Sequence, residues 1–296
     1  MSRLNNLFAG IASSFILNKT ARHRVRGLVR YGLLRALGNR VKIWRNRGVK
    51  PKHRLAICAI AKNEGRYFPE WIEWHLARGV EKFYIYDNGS DDDTAKILRP
   101  YVSKGLVDHI RFPGNKVQLA AYRDCLERRR FDARWIAFID IDEFIVPAGG
   151  KSIPEFLKNF TEFSAVEINW LCYGSDGRKT RGPGGVMERF RAHSHPDFVL
   201  NRHVKSIVDP RRVACFIGAH EAVRLTGKAA DANGNTVRKN FMDRPPAGQD
   251  KIRVNHYAVK SYAEFAEKRS RGRARPGPMR GDEYFNKYDR NEVLDT

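Results

Sequence analysis

The stretch Trp135–Phe144, WIAFIDIDEF, constrains this chain more than any other. Five apolar residues, Trp135 to Ile139, run without interruption into Asp140-Ile141-Asp142-Glu143. A short apolar run bounded by polar residues reads as a buried strand. A strand that stops on acids delivers them to the carboxyl edge of its sheet, where open α/β folds bind ligands. Residues two apart point the same way in extended chain, so Asp140 and Asp142 are expected to converge. Converging carboxylates repel unless a cation lies between them, and oxygen donors suit Mg²⁺, Mn²⁺ or Ca²⁺. The competing reading is a polar strand end whose acids cap the next helix.

The flanking sequence repeats one pattern. Leu55–Ile60 is a short apolar strand running into Ala61-Lys62-Asn63-Glu64-Gly65. A helix follows from about Tyr67, with Phe68, Trp71, Ile72, His75 and Leu76 on one face, Pro69 in its first turn and Gly79 at its stop. A second strand, Lys82–Tyr86, ends in Asp87-Asn88-Gly89-Ser90-Asp91-Asp92-Asp93, and Thr94–Tyr101 is a short helix. Val107–Phe112 is a third strand and Gln118–Arg130 a helix. This alternation predicts a parallel, doubly wound sheet. Right-handed crossovers then bring loops 61–65, 87–93 and 140–143 to one crevice. No GxGxxG follows the first strand, so the dinucleotide fingerprint is missing. Beyond Pro147 the expected elements are a helix at Ser152–Phe160, strands at Ala165–Leu171, Lys205–Val208, Val213–Ile217 and Arg253–Tyr257, and a helix at Ser261–Arg269. Residues 227–250 read as an exposed or mobile loop and 276–296 as a poorly ordered polar tail.

The formal net charge of +22 calls for an anionic partner: nucleic acid, nucleotide, phosphate-bearing lipid or an acidic membrane surface. Its distribution narrows the choice. Residues 1–54 hold 14 of the 55 basic residues and no acid, leaving 41 basic against 33 acidic residues elsewhere. Val25, Leu28, Val29, Leu33, Leu34 and Leu37 recur at helical spacing among arginines. This suits an amphipathic helix on an anionic bilayer, or one packed on its own domain with snorkelling arginines. Cys58, Cys125, Cys172 and Cys215 form no CxxC pair, and nothing demands an oxidising compartment. No run approaches 18 apolar residues. A cytoplasmic protein, peripheral at the inner membrane face, is the expectation.

Taken in order, Ala61-Lys62-Asn63-Glu64, Glu70-Trp71 with His75, Tyr86-Asp87-Asn88-Gly89-Ser90-Asp91 and Asp140-Ile141-Asp142-Glu143-Phe144 resemble the nucleotide-sugar half of a GT-A glycosyltransferase. Trp170 with Tyr173-Gly174-Ser175, Lys205-Ser206-Ile207-Val208, and His256-Tyr257 with Lys260-Ser261 resemble glycosyltransferase family 92 and its bacterial family-2-like relatives. The resemblance spans roughly 55–275. It implies a GT-A fold, a Rossmann-like mixed sheet flanked by helices, with 55–147 as the nucleotide-sugar half and 148–275 as the acceptor half. It implies an inverting, Mn²⁺- or Mg²⁺-dependent transfer from a nucleotide sugar, expected to be UDP-linked, to a glycan or lipid-linked glycan. A divalent ion bridging both phosphates stabilises the leaving group.

On that resemblance Asp142 holds the metal and meets phosphate oxygens, while Asp140 is shared between metal and ribose or sugar. Asp87 meets base or ribose, with an Asx-turn as its alternative. Lys62 and Asn63 line the nucleotide, and Glu64 either joins them or caps a helix. His256 closes the metal site, with His220 in competition. Lys205 and Arg253 face the diphosphate, or are ordinary surface charge. Asp176 and Glu221 are the candidates for the catalytic base. Two other readings stay open: a basic nucleic-acid-binding protein, and an inactive GT-A fold that only binds nucleotide sugar. The acids on the motif-bearing rim oppose nucleic acid, for which no specific partner is expected.

Overall fold

The computed structural model describes residues 32–272 and 281–295, with Val25 and Val29 placed in an earlier helix. The rest of the basic leader, and the end of the chain at Thr296, lie outside the described residues.

The alternating first half forms as its pattern requires. Strands β1 (His53–Ala61), β2 (Lys82–Asp87), β3 (Val107–Arg111) and β4 (Ala133–Phe138) are mutually parallel in the order β3-β2-β1-β4. The side chains of β1, β2 and β4 are mostly buried on both faces because helices α2 (Phe68–Leu76), α3 (Thr94–Ser103) and α4 (Gln118–Arg129) cover the sheet, while edge strand β3 is only partly covered. Helix α1 (Leu33–Arg45) precedes them, with Ala36 packed on Ala214, Cys215 and Val223.

The sheet then changes sense without ending. Strand β5 (Glu143–Pro147), helix α5 (Ile153–Leu157) and strand β6 (Ala165–Cys172) follow β4 in the chain. Strand β8 (Val204–Val208) lies antiparallel between β4 and β6. The far edge of β6 is shared by β11 (Ala229–Asp231) and β12 (Ile252–His256), both parallel to it. Strand β5 runs antiparallel to β12 at the border. The result is the expected α/β class: one mixed, nine-stranded sheet flanked by helices, common to both halves of the chain.

Border strand β5 is protected by side chains of α2. Trp71 Nε1 donates to the carbonyl of Glu143 (2.8 Å) and Trp74 Nε1 to that of Ile145 (3.1 Å). His75 Nε2 accepts the Ile145 amide at 3.2 Å. These bonds satisfy backbone groups that an open edge would offer to another strand. Burial holds the His75 imidazole down to about 3, so it stays neutral and keeps Nε2 as the acceptor.

Two sequence expectations need correction. Residues 227–250 are tied down: β11 joins the sheet, Arg244 pairs with buried Glu167 at 2.5 Å, and Asn169 Oδ1 accepts the Ala247 amide at 3.1 Å. The tail beyond 280 is also structured. After α6 (Val186–Arg189), β7 (Ala192–His193), the β9–β10 hairpin (Val213–Gly218, Glu221–Arg224) and α7 (Tyr262–Ser270), the chain makes helix α8 (Asp282–Tyr288) and strand β13 (Val293–Leu294). Strand β13 pairs antiparallel with β7. Polar anchors inside Gly- and Asn-rich sequence leave no hydrophobic period to read, so both segments look like loops until the fold is known.

All four cysteines are buried free thiols. Among the described residues, no helix is long and apolar enough to cross a membrane.

Candidate active site

A cavity of about 290 Å³ opens where the carboxyl ends of β1, β2 and β4 meet β12 and α8. Lys62 and Glu64 come from the first loop, Asn88 from the second, Asp140 and Asp142 from the loop after β4. Gly114, Asn115 and Gln118 complete that end. Trp170, Ala219, His220, His256, Lys268, Arg271, Gly272, Tyr284 and Tyr288 line the rest of the cavity. The three loops expected at one crevice therefore all reach it.

Asp140 and Asp142 reach it by different geometry from that expected. Strand β4 stops at Phe138, and Asp140–Glu143 is a tight turn closed by the Glu143 amide on the Asp140 carbonyl at 3.1 Å. Extended-chain alternation therefore does not govern them, and the two acids face different partners. Asp140 accepts from Lys205 Nζ at 2.7 Å and Gln118 Nε2 at 3.2 Å. Asp142 accepts from Lys268 Nζ and lies 4.0 Å from His256 Nε2. Burial would raise the Asp142 carboxyl, but the Lys268 and Lys260 ammonium groups hold it well below the usual carboxylate range.

Glu143 is wholly buried beneath the turn. Its Oε2 accepts the Asp140 amide at 2.9 Å and meets Lys205 Nζ at 3.1 Å, while its Oε1 has no hydrogen-bond partner. Burial pushes the Glu143 carboxyl up to about 8, against the pull of Lys205. Lys205 is raised in turn: Asp140 and Glu143 overcome its own desolvation. Lys205 thus neutralises these two acids from behind, although the sequence set it facing a diphosphate.

The donor atoms of Asp142, Glu143 and His256 lie within 4.8 Å of one another. Burial keeps His256 well below its ordinary value, hence neutral, and its Nδ1 has no hydrogen-bond partner. Neutral imidazole and carboxylate are the forms that ligate. His256 Nε2, 4.0 Å from ionised Asp142, and the Glu143 carboxyl, whose Oε1 has no hydrogen-bond partner, complete a donor set that fits a divalent ion. Glu143, not Asp140, is the third member of that cluster. His220 shares the cavity but turns Nδ1 to the Val204 carbonyl at 3.0 Å and takes no part in the cluster.

The remaining sequence candidates divide. Lys62 lines the cavity. Asn63, at φ +53°, and Asp87 sit just behind the lining and shape the loops: Asn63 Oδ1 accepts the Asp91 amide at 3.0 Å, and Asp87 Oδ1 the Ser90 amide at 2.7 Å. Asp87 Oδ2 also meets His109 Nε2 at 3.0 Å. Glu64 lines the cavity in a 2.5 Å pair with Arg271. Arg253 turns away, to Asn255 and Asp295. Neither Asp176 nor Glu221 is among the lining residues. Both oxygens of Asp176 accept backbone amides, those of Arg191 (2.9 Å) and Ala192 (3.0 Å). Burial depresses Lys260, behind Lys268, to about 8.

Sequence reasoning gave no site role to Gln118, Tyr284 or Tyr288, and took Lys268 to Gly272 only as a continuation of the resemblance. Tyr284, Phe285 and Tyr288 do stand at helical spacing, the one signal that marked this segment.

An α/β sheet thus gathers acids, a neutral histidine, Lys62 and the paired cations Lys268 and Arg271 around one carboxyl-edge cavity. Comparison with known proteins gives the family. The family model for glycosyltransferase family 92 matches residues 53–271, and the chain belongs to that family. A glycosyltransferase family 92 protein of Oryza sativa subsp. japonica is 29% identical over 232 residues, covering 77% of this chain and 36% of its own length. The galactan beta-1,4-galactosyltransferase GALS2 of Arabidopsis thaliana is 31% identical over 175 residues, 54% of this chain and 33% of its own. The beta-1,4-galactosyltransferase galt-1 of Caenorhabditis elegans is 24% identical, covering 71% and 49%. This chain thus spans well under two thirds of each relative. Among solved structures, Staphylococcus aureus TarS (residues 1–349) in complex with UDP superposes with a TM-score of 0.37 at 15% identity, over 53% of this chain and 47% of that one. So partial a likeness carries no weight for the site.

Proposed function

We propose that this protein is a divalent-metal-dependent glycosyltransferase that moves a hexose from a nucleotide sugar, expected to be UDP-linked, to a glycan. One observation carries the reading. Asp142 and His256 share a cavity wall with Lys62, Lys268 and Arg271. A carboxylate tolerates a diphosphate beside it only with a cation between them, and the basic groups take the remaining phosphate charge. Asp142, His256 and Glu143 would hold the ion, whose chemistry is to polarise the diphosphate and so ease its departure. Asn88, Gly114, Asn115 and Gln118, which line the same cavity, would meet base and ribose. Asp140, steered by Lys205 and Gln118, is placed for ribose or sugar hydroxyls.

Relatives named as β-1,4-galactosyltransferases support a hexosyl donor, with galactose the first to test. A β product from an α-linked donor requires inversion. The cavity carboxylates are engaged: Asp140 with Lys205, Asp142 with Lys268, Glu64 with Arg271. Asp176 serves the loop and is assigned no proton to carry. The nucleic-acid reading is set aside because the cavity presents acids and the basic excess is concentrated in the leader. The direct test is release of UDP from UDP-galactose with Mn²⁺. Wild-type protein is expected to turn it over slowly without acceptor and faster with a β-1,4-galacto-oligosaccharide. Asp142→Asn is expected to lose at least a hundredfold, and equal rates in the two proteins would overturn the assignment.

A second element of the reading concerns location. Leu37, Val41 and Trp44 stand exposed at helical spacing on α1, between Arg40, Lys42 and Arg45. This suits an anionic bilayer surface, where a lipid-linked glycan acceptor would lie.

A further inference from the structure

The chain beyond the family match ends in a segment that is part of the cavity. Helix α8 puts Tyr284 and Tyr288 on its wall, together with Trp170 and His256. The Tyr284 and Tyr288 rings stack at 4.5 Å between centroids, and Tyr288 stands edge-on to His256 at 5.7 Å. His256 lies against Trp170 at 4.0 Å. An aromatic corner therefore sits beside the candidate metal ligand His256.

The corner is held in place by the Tyr173-Gly174-Ser175 motif. The amide of Ser175 donates to Asp289 Oδ1 at 2.7 Å, and that of Asp176 to Asn291 Oδ1 at 2.9 Å. Asp295 accepts from Arg253 at 3.2 Å, and its amide donates to the Arg191 carbonyl at 2.9 Å. Gly174 touches Asn291 and the Arg290 carbonyl so closely that a Cβ there would overlap both. Gly174 has no positive φ among the chain's left-handed residues, so its role is close approach and not backbone conformation.

We infer that residues 281–295 are a built-in wall of the site, in which Tyr284 and Tyr288 bind the apolar face of a hexopyranose ring, and that Tyr173-Gly174-Ser175 is the cradle that docks it. This rests on the glycosyltransferase reading and adds the residues that grip the sugar. A pyranose presents C–H groups on one face and hydroxyls around its rim. Amphipathic tyrosine rings beside polar groups suit that face, as pockets of this kind combine an apolar surface with a few convergent polar atoms. The ring bound is that of the donor or of the acceptor, and the two leave different signatures.

The experiment compares wild type, Tyr284→Ala/Tyr288→Ala and Gly174→Ala, with Mn²⁺ throughout. Calorimetry gives the affinities for UDP and UDP-galactose, and initial rates give KM for a β-1,4-galacto-oligosaccharide. Near-ultraviolet circular dichroism and melting check that each protein is folded. Both variants are expected to keep UDP affinity within twofold. A loss of about tenfold for UDP-galactose alone identifies the donor ring. A tenfold rise in oligosaccharide KM with donor affinity intact identifies the acceptor ring. If UDP itself weakens as much as UDP-galactose, or if the folded tyrosine variant matches wild type in all three, the inference is overturned. A normal Gly174→Ala protein beside an impaired tyrosine variant would overturn the cradle. Wild type that binds neither UDP nor UDP-galactose would instead sink the glycosyltransferase reading, and this inference with it.

Discussion

Asp142 and Lys268 are both nearly buried, with side-chain exposures of 8% each, and each is the other's ion-pair partner. Removing one member of such a pair leaves an uncompensated buried charge, which costs about 3–5 kcal/mol. Asp142→Asn should therefore lower stability as well as turnover. Adding Lys268→Met should restore most of the stability in urea denaturation while turnover stays lost. A double variant that recovers activity would show that Asp142 serves only to neutralise Lys268. His75 yields a separate prediction through pH. Its folded value is depressed by burial from 6.5 to about 3, so between those values the unfolded chain binds the proton and the folded one does not. Stability is then full above about 6.5 and falls as pH drops, approaching about 1.4 kcal/mol per unit from this residue alone. Wild type and His75→Gln compared in urea at pH 7 and pH 5 should show the smaller pH loss in the variant. Equal losses would place the acid sensitivity elsewhere. At this scale the sequence spoke unevenly. The place of Asp142 on the cavity rim was legible because it follows an apolar strand in an alternating strand–helix series. Glu143 was not, because its burial under a turn depends on Lys205, which is 62 positions away.

Helices and strands were more legible than side-chain roles wherever burial imposed a period. The strands β1, β2, β4 and β6 are mostly apolar and buried along most of their length because both faces of the sheet are covered. Strand β11 is three residues long and lies in Gly- and Asn-rich sequence, so nothing periodic announced it. Helix α8 was hidden by its polar setting, and its tyrosines have meaning only against His256. Helix α1 invites a direct test of its exposed apolar stripe. Vesicles containing anionic phospholipid should sediment the wild-type protein and leave Leu37→Glu/Trp44→Glu in solution, with the effect weakening as salt rises. Equal sedimentation of both proteins would assign membrane attachment, if any, to another part of the chain. Because α1 packs on the β9–β10 hairpin through small Ala36, these substitutions leave the core untouched.

At the scale of the whole molecule, one continuous sheet brings Asn88, Gln118 and Asp142 to the same cavity as Trp170, His256 and Tyr288, and the late chain completes what the early chain begins. His256, Lys268 and Tyr288 come from the last fifth of the sequence, whereas the loops they face come from its first half. That long-range assembly is why composition and periodicity gave the fold class and the rim but not the full lining. It also sets the central claim: cation and nucleotide occupy one cavity and bind as a unit through Asp142 and His256. Linkage makes this measurable, since two ligands that favour each other do so by the same factor in either order. The measurement is calorimetric titration of UDP into wild-type protein with EDTA and with saturating Mn²⁺, and of Mn²⁺ with and without UDP. The account predicts that each ligand tightens the other by at least tenfold and by equal factors. UDP affinity unchanged by Mn²⁺ would contradict it.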